Sequence, residues 1–157
     1  MMGTLHPWKR RVFIDTEFTN LDSPALVSLA LVAEDGREFY VELTDYLVSD
    51  CTDFVRTIVV PQLGQYPDRV MSSVEAAREL SSWMNELRQR REKPVLCYDH
   101  PIDVELLVRL LGKRPTGWQF QNVAARLDVS ERGRYLEQSG RHHHALFDAR
   151  ANCTSFR

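Results

Sequence analysis

Apolar positions along this chain follow two regimes. The first third carries them in short, strand-length stretches. Residues 10–15 (RRVFID) are β-rich and end at an acidic tetrad, DTEF; residues 25–33 (ALVSLALVA) are almost continuously apolar; residues 38–43 (EFYVEL) alternate. Asp35-Gly36 between the second and third stretches is a strong hairpin signal. Three strands on short connections predict an antiparallel meander. The period then lengthens. Residues 52–60 predict a short helix closed by Pro61. Residues 73–91 predict the clearest helix, with Val74, Ala77, Leu80, Trp83, Met84 and Leu87 recurring at three and four. Ser72 or Ser73 can cap it, Glu75 and Glu79 lie near its start, and Arg88, Arg90 and Arg91 at its end suit the helix dipole. Residues 94–98 (PVLCY) read as a parallel-type strand. Pro101 suits the first position of a helix over 102–111 that stops at Gly112. Residues 118–127 fit a strand or a helix, 132–142 read as a polar loop, and 143–156 as a final helix. The order predicts an α/β fold whose sheet starts antiparallel and continues parallel.

Composition narrows the class. The 157 residues are 43% apolar and 27% charged, which suits one globular domain over 1–157. No run of 18 apolar residues predicts a membrane span, and the start shows no apolar core with a cleavage site. Cys51, Cys97 and Cys153 match no disulfide framework or zinc spacing and read as reduced thiols, so a cytoplasmic location is expected. A net charge of −2 argues against a general nucleic-acid coat. Nucleic acid, if held, is held locally, with help from a bound cation.

The candidate chemistry is acidic. Asp15 and Glu17 are i and i+2, so an extended chain points both to one face. Like charges placed together either stay partly protonated or hold a divalent cation. With 22 acidic residues in the chain, a lone D-x-E is close to an accidental occurrence. Asp103 falls in the first turn of a helix behind a strand, with Asp99 a competitor at the strand end. Both also have an ordinary reading, since an acid at a helix start is favoured by the dipole. His142, His143 and His144 precede Asp148. His144 and Asp148, at i and i+4, share a helix face. His143 reaches the same site only from the loop before the helix, where it can serve as a general base.

In this order the three pieces resemble the DEDDh family of ribonuclease H-like 3′-to-5′ exonucleases. The first motif is Asp15-Thr16-Glu17-Phe18, the second Asp99-His100-Pro101-Ile102-Asp103 followed by Leu106 and Leu107, and the third His143-His144-Ala145-Leu146-Phe147-Asp148-Ala149. The segments AEDGREFYVEL and FVRTIVVPQL further resemble the ribonuclease AS branch, a relative of ribonuclease T. Asp99 stands where the family usually has Asn, and the spacing of Leu106 and Leu107 favours Asp103 as the second-motif acid.

The resemblance implies a ribonuclease H-like mixed sheet flanked by helices. It implies two Mg²⁺ or Mn²⁺ ions about 3.5–4 Å apart. Asp15, Glu17 and Asp148 would hold the first, Asp15 would bridge to the second, and Asp103 would complete the site through water. His143 would take the proton of the attacking water. Phe18 and Thr19 would contact the terminal nucleotide, Phe18 by stacking or, equally, by packing in the core. Lys9-Arg10-Arg11, Arg109-Lys113-Arg114 and Arg132-Arg134-Arg141 are basic clusters, each more often a solvated face than a phosphate track; the third is favoured as a phosphate contact. Trp118 reads as core. The expected partner is the 3′ end of single-stranded RNA, or DNA, with no membrane, and a homodimer is compatible. The alternatives are a binding module that has lost catalysis and a DNA-directed proofreading exonuclease.

Overall fold

A computed structural model describes residues 9–89 and 93–157. Six strands form one sheet in the order β4-β3-β2-β1-β5-β6. β1 (Lys9–Phe18), β2 (Leu26–Ala33) and β3 (Glu38–Leu43) make the expected antiparallel meander. The β2–β3 hairpin turns at Gly36, whose φ of +95° a side chain seldom allows. β5 (Lys93–Tyr98) and β6 (Gln119–Asn122) continue parallel from β1. A two-residue strand, β4 (Val70–Met71), extends the far edge parallel to β3, with no counterpart in the hydropathy pattern.

Helices cover both faces, which is why every residue of β2 is buried. On one face α1 (Ser73–Gln89) and α2 (Pro101–Leu111) pack on Val12, Ile14, Leu29, Leu31, Val41 and Leu96. Ser72 caps α1: its hydroxyl accepts from the Glu75 amide while the Glu75 carboxylate accepts from the Ser72 amide. Arg90 and Arg91, expected at the end of this helix, lie outside the described residues, as do residues 1–8. Trp118 is core, its ring N–H donating to the Met84 carbonyl.

On the other face lie α3 (Val129–Ser139) and α4 (Ala145–Ser155). Ala145 and Ala149 let α4 approach Ala30 and Val32 closely.

Three expectations are corrected. The first strand does not stop at the acidic tetrad; it runs through to Phe18, with a register irregularity between Glu17 and Phe18. The segment over 52–60 includes a π-helical turn (Val55–Val59) and continues past Pro61 as a 3₁₀ turn (Val60–Gln62). The polar segment over 132–142 is mostly helix α3. Asp128 caps α3 by accepting from the Glu131 amide, and Gly140 ends it in the left-handed region. α4 then starts at Ala145, which leaves His143 in the preceding turn.

Candidate active site

The site is set by a strand that outruns its neighbour. β1 pairs with β5 only from Lys9 to Phe13, whereas its pairing with β2 continues to Phe18. The residues after Phe13 are therefore open on the β5 side, and the turn from β5 into α2 fills that notch. Along β1, Val12 and Ile14 face α1 and α2, and Phe13 faces Phe156 beside α4. Alternation puts Thr16 with the first set and Asp15 and Glu17 with the second.

Each side then meets a partner. Oxygen atoms of Asp15, Glu17 and Asp148 lie within 4.8 Å of one another. Those of Asp15, Asp99 and Asp103 do likewise. Asp15 belongs to both groups. Asp103 is 3% exposed, and the Thr16 hydroxyl donates to its Oδ1 at 2.6 Å. Asp99 is only half-buried. The structure thus brings Asp15, Glu17, Asp103 and Asp148 together and adds Asp99 at the rim. Thr16 was not expected as a member. Its position inside the D-x-E triple is the sole hint, because nothing local says that α2 would arrive beside it.

The electrostatics follow from crowding. Burial, and then Asp148, Asp103, Glu17 and Asp99, hold the Asp15 carboxyl well above its ordinary range. Burial and the neighbouring acids push Glu17 up to about 8. Asp103 rises to about 7 by burial, against the pull of the Thr16 hydroxyl. Asp148 rises to about 6 by burial, moderated by Arg132. The Oδ2 atom of Asp15 is buried with no hydrogen-bond partner. An all-oxygen donor set with an unmet buried acceptor fits a hard divalent cation.

His143 stands in the turn before α4 with a φ of +59°, its ring exposed and edge-on to Phe54 at 4.8 Å between centroids. Partial burial, His142 and Arg132 lower its pKa, so it is neutral near pH 7. His144 is different: it is 1% exposed, stacked on Tyr40, and pushed down by burial to about 4. Phe18 is half-buried against the main core. Thr19 is fully buried, its hydroxyl accepting from the Ala25 amide, so it lies behind the surface.

Among the basic clusters, Arg109 donates to the Pro24 carbonyl and Glu105, and Arg114 lies over Phe120. Arg132 donates to Asn152 on α4 and lowers both Asp148 and His143. It is therefore the cation of the third cluster that bears on the site.

No family model matches the chain. In sequence it is 28% identical over 165 residues to a 3′-5′ exoribonuclease of Mycobacterium tuberculosis, recorded in two strains, with 94% of this chain and 91% of that protein covered. In structure it is similar to the nuclease domain of 3′hExo, a DEDDh family member bound to rAMP. The TM-score is 0.60, over 96% of each chain, at 15% identity. A 3′-exonuclease solved in 3′-end specific recognition of a histone mRNA stem-loop gives 0.55, over 94% of this chain and 62% of that one, at 13% identity. This chain therefore has the ribonuclease H-like fold of the DEDDh 3′-exonucleases, and along nearly its whole length its sequence is similar to that of a 3′-5′ exoribonuclease.

Proposed function

We propose that the chain, as one domain over 1–157, is a 3′-to-5′ exonuclease that hydrolyses phosphodiester bonds of single-stranded nucleic acid, RNA before DNA. One observation carries the reading: carboxylates from β1, α2 and α4 meet around a buried Asp15 oxygen with no partner in the protein. The relatives named exoribonuclease support the choice of RNA.

Asp15, Glu17, Asp103 and Asp148 would hold two divalent ions, Mg²⁺ or Mn²⁺. Such ions supply Lewis acidity to the phosphate and lower the pKa of a water. His143, exposed in the turn before α4 and tied to Asp148 by a backbone hydrogen bond, accepts the proton of the attacking water. Thr16 keeps Asp103 turned toward Asp15 through its hydroxyl. Phe18 offers a ring to the terminal nucleotide, and Thr19 supports the turn beneath it. Arg132 holds positive charge where the phosphate would pass.

Among the described residues no helix is long and apolar enough to cross a membrane. Cys51, Cys97 and Cys153 are free, which suits the reducing cytoplasm. A homodimer is the assembly the family resemblance suggests.

The test is degradation of matched RNA and DNA strands with free and blocked 3′ ends. Free 3′ ends should be shortened in Mg²⁺ or Mn²⁺, RNA faster, and a chelator should stop the reaction. Trimming that persists in excess chelator defeats the metal reading, and equal attack on blocked ends defeats the direction.

A further inference from the structure

His143 sits in a backbone conformation that residues with a side chain seldom adopt, and such conformations last only where the surroundings enforce them. The enforcing groups flank it on both sides. On one side, the Gln62 amide Nε2 donates to the His142 carbonyl at 2.7 Å and to the Ile58 carbonyl at 2.9 Å. On the other, His144 stacks on Tyr40, with its Nε2 3.2 Å from the Tyr40 hydroxyl.

Both arms lead back to one residue. Glu42 on β3 is 3% exposed. Its Oε2 accepts from the Tyr40 hydroxyl at 2.6 Å, and its Oε1 accepts from the Gly64 amide at 2.8 Å. Gly64 is two residues from Gln62, so Glu42 fixes the loop from which Gln62 reaches.

Proton accounting settles the direction of the His144 contact. A tyrosine hydroxyl has one proton, and here it is given to Glu42. The oxygen must then accept, so His144 donates from Nε2 and is the neutral Nε2–H tautomer. Its Nδ1 is buried without a partner. An imidazole left half-satisfied in the core is a poor packing choice. It makes sense as a peg that ties the turn to the sheet.

We propose that Glu42, Tyr40 and Gln62 are positioning residues, joined in one hydrogen-bonded bracket that clamps His142 and His144 and so presents His143 to the carboxylates. The inference rests on the reading of His143 as general base. None of the three belongs to the carboxylate groups that could share an ion.

Two variants test it. Tyr40→Phe keeps the stacked ring and removes the hydroxyl. Gln62→Ala removes the other arm at a half-buried loop position, and unchanged far-UV circular dichroism and melting temperature check that the fold is kept. Measured on a single-stranded RNA 3′ end, each should lower kcat about tenfold or more, with KM and Mn²⁺ affinity within about twofold of wild type. Combined with His143→Ala, each should add less than about twofold, because a clamp matters only while the clamped base is present. The ¹⁵N relaxation of the His143 amide should show new motion in both variants.

Wild-type kcat in both variants, beside a large loss in His143→Ala, overturns the bracket alone. Losses that multiply in full on His143→Ala, or a parallel collapse of Mn²⁺ affinity, overturn it too, since the residues would then act elsewhere. Full turnover by His143→Ala removes the general-base reading and the bracket with it.

Discussion

Adjacent histidines at 143 and 144 occupy opposite environments, and the difference comes from where α4 begins. With Ala145 as the first helical residue, His144 becomes the N-cap and turns into the core, while His143 is left outside. His143→Ala should cut kcat by roughly a hundred- to ten-thousand-fold, the usual worth of a general base, with Mn²⁺ affinity little changed. Because burial, His142 and Arg132 lower the His143 pKa, the acid limb of the wild-type rate profile should bend below 6.5, the ordinary histidine value. An acid limb above that value would assign the proton transfer to another group. The two second-motif candidates also separate at this scale. Asp103 is buried and hydrogen-bonded to Thr16, whereas Asp99 is half-buried at the rim. Asp103→Asn should abolish activity and weaken Mn²⁺ binding, while Asp99→Asn should retain a substantial fraction of both. The reverse ranking would exchange their roles.

Elements with strong hydrophobic periodicity were legible in the sequence. The meander, α1, the β5 strand and α2 all follow from spacing and caps. α3 was not, because Leu136 is its one buried residue and its remaining pattern is polar. Its ends were nevertheless written in capping chemistry: Asp128 three residues before Glu131, and Gly140 after the last turn. Asp128→Ala should therefore cost about 1 kcal/mol of stability, read as a lower melting temperature. A smaller effect on α3 would mean that its packing on α4 holds it without the cap. The acids of the site were legible as motifs. The bracket of Tyr40, Glu42 and Gln62 was not, because its members join strands and loops far apart in the chain, and a buried Glu looks like any other in the sequence. β4 escaped notice for a different reason: two residues give no period to detect.

At the scale of the molecule, the fold assembles at a cost in crowded acids. A carboxyl whose folded pKa lies above its unfolded value binds more protons when folded, so its stabilising effect is complete below the unfolded value near 4. That stability is lost as pH rises through the folded values of about 6 for Asp148, 7 for Asp103 and 8 for Glu17. The metal-free protein should therefore melt at a lower temperature at pH 8 than at pH 5. Mg²⁺ or Mn²⁺ should reverse the loss, by about 2.7 kcal/mol at a hundred times the dissociation constant. Melting that is flat across this range and indifferent to both ions would mean that the acids are not crowded as described.

The overhang of β1 past its parallel neighbour has one more consequence. Whether an acid or a threonine meets each helical layer depends only on the parity of the strand. A single inserted or deleted residue just before Asp15 would turn Asp15 and Glu17 toward α2 and Thr16 toward α4, exchanging what β1 contributes to the centre while leaving the composition almost untouched. A slip of two would restore the orientation but shift the acids by roughly 6.6 Å, beyond their partners. Catalysis in this chain is thus tied to odd and even positions on one strand, a tighter requirement than the presence of the right side chains.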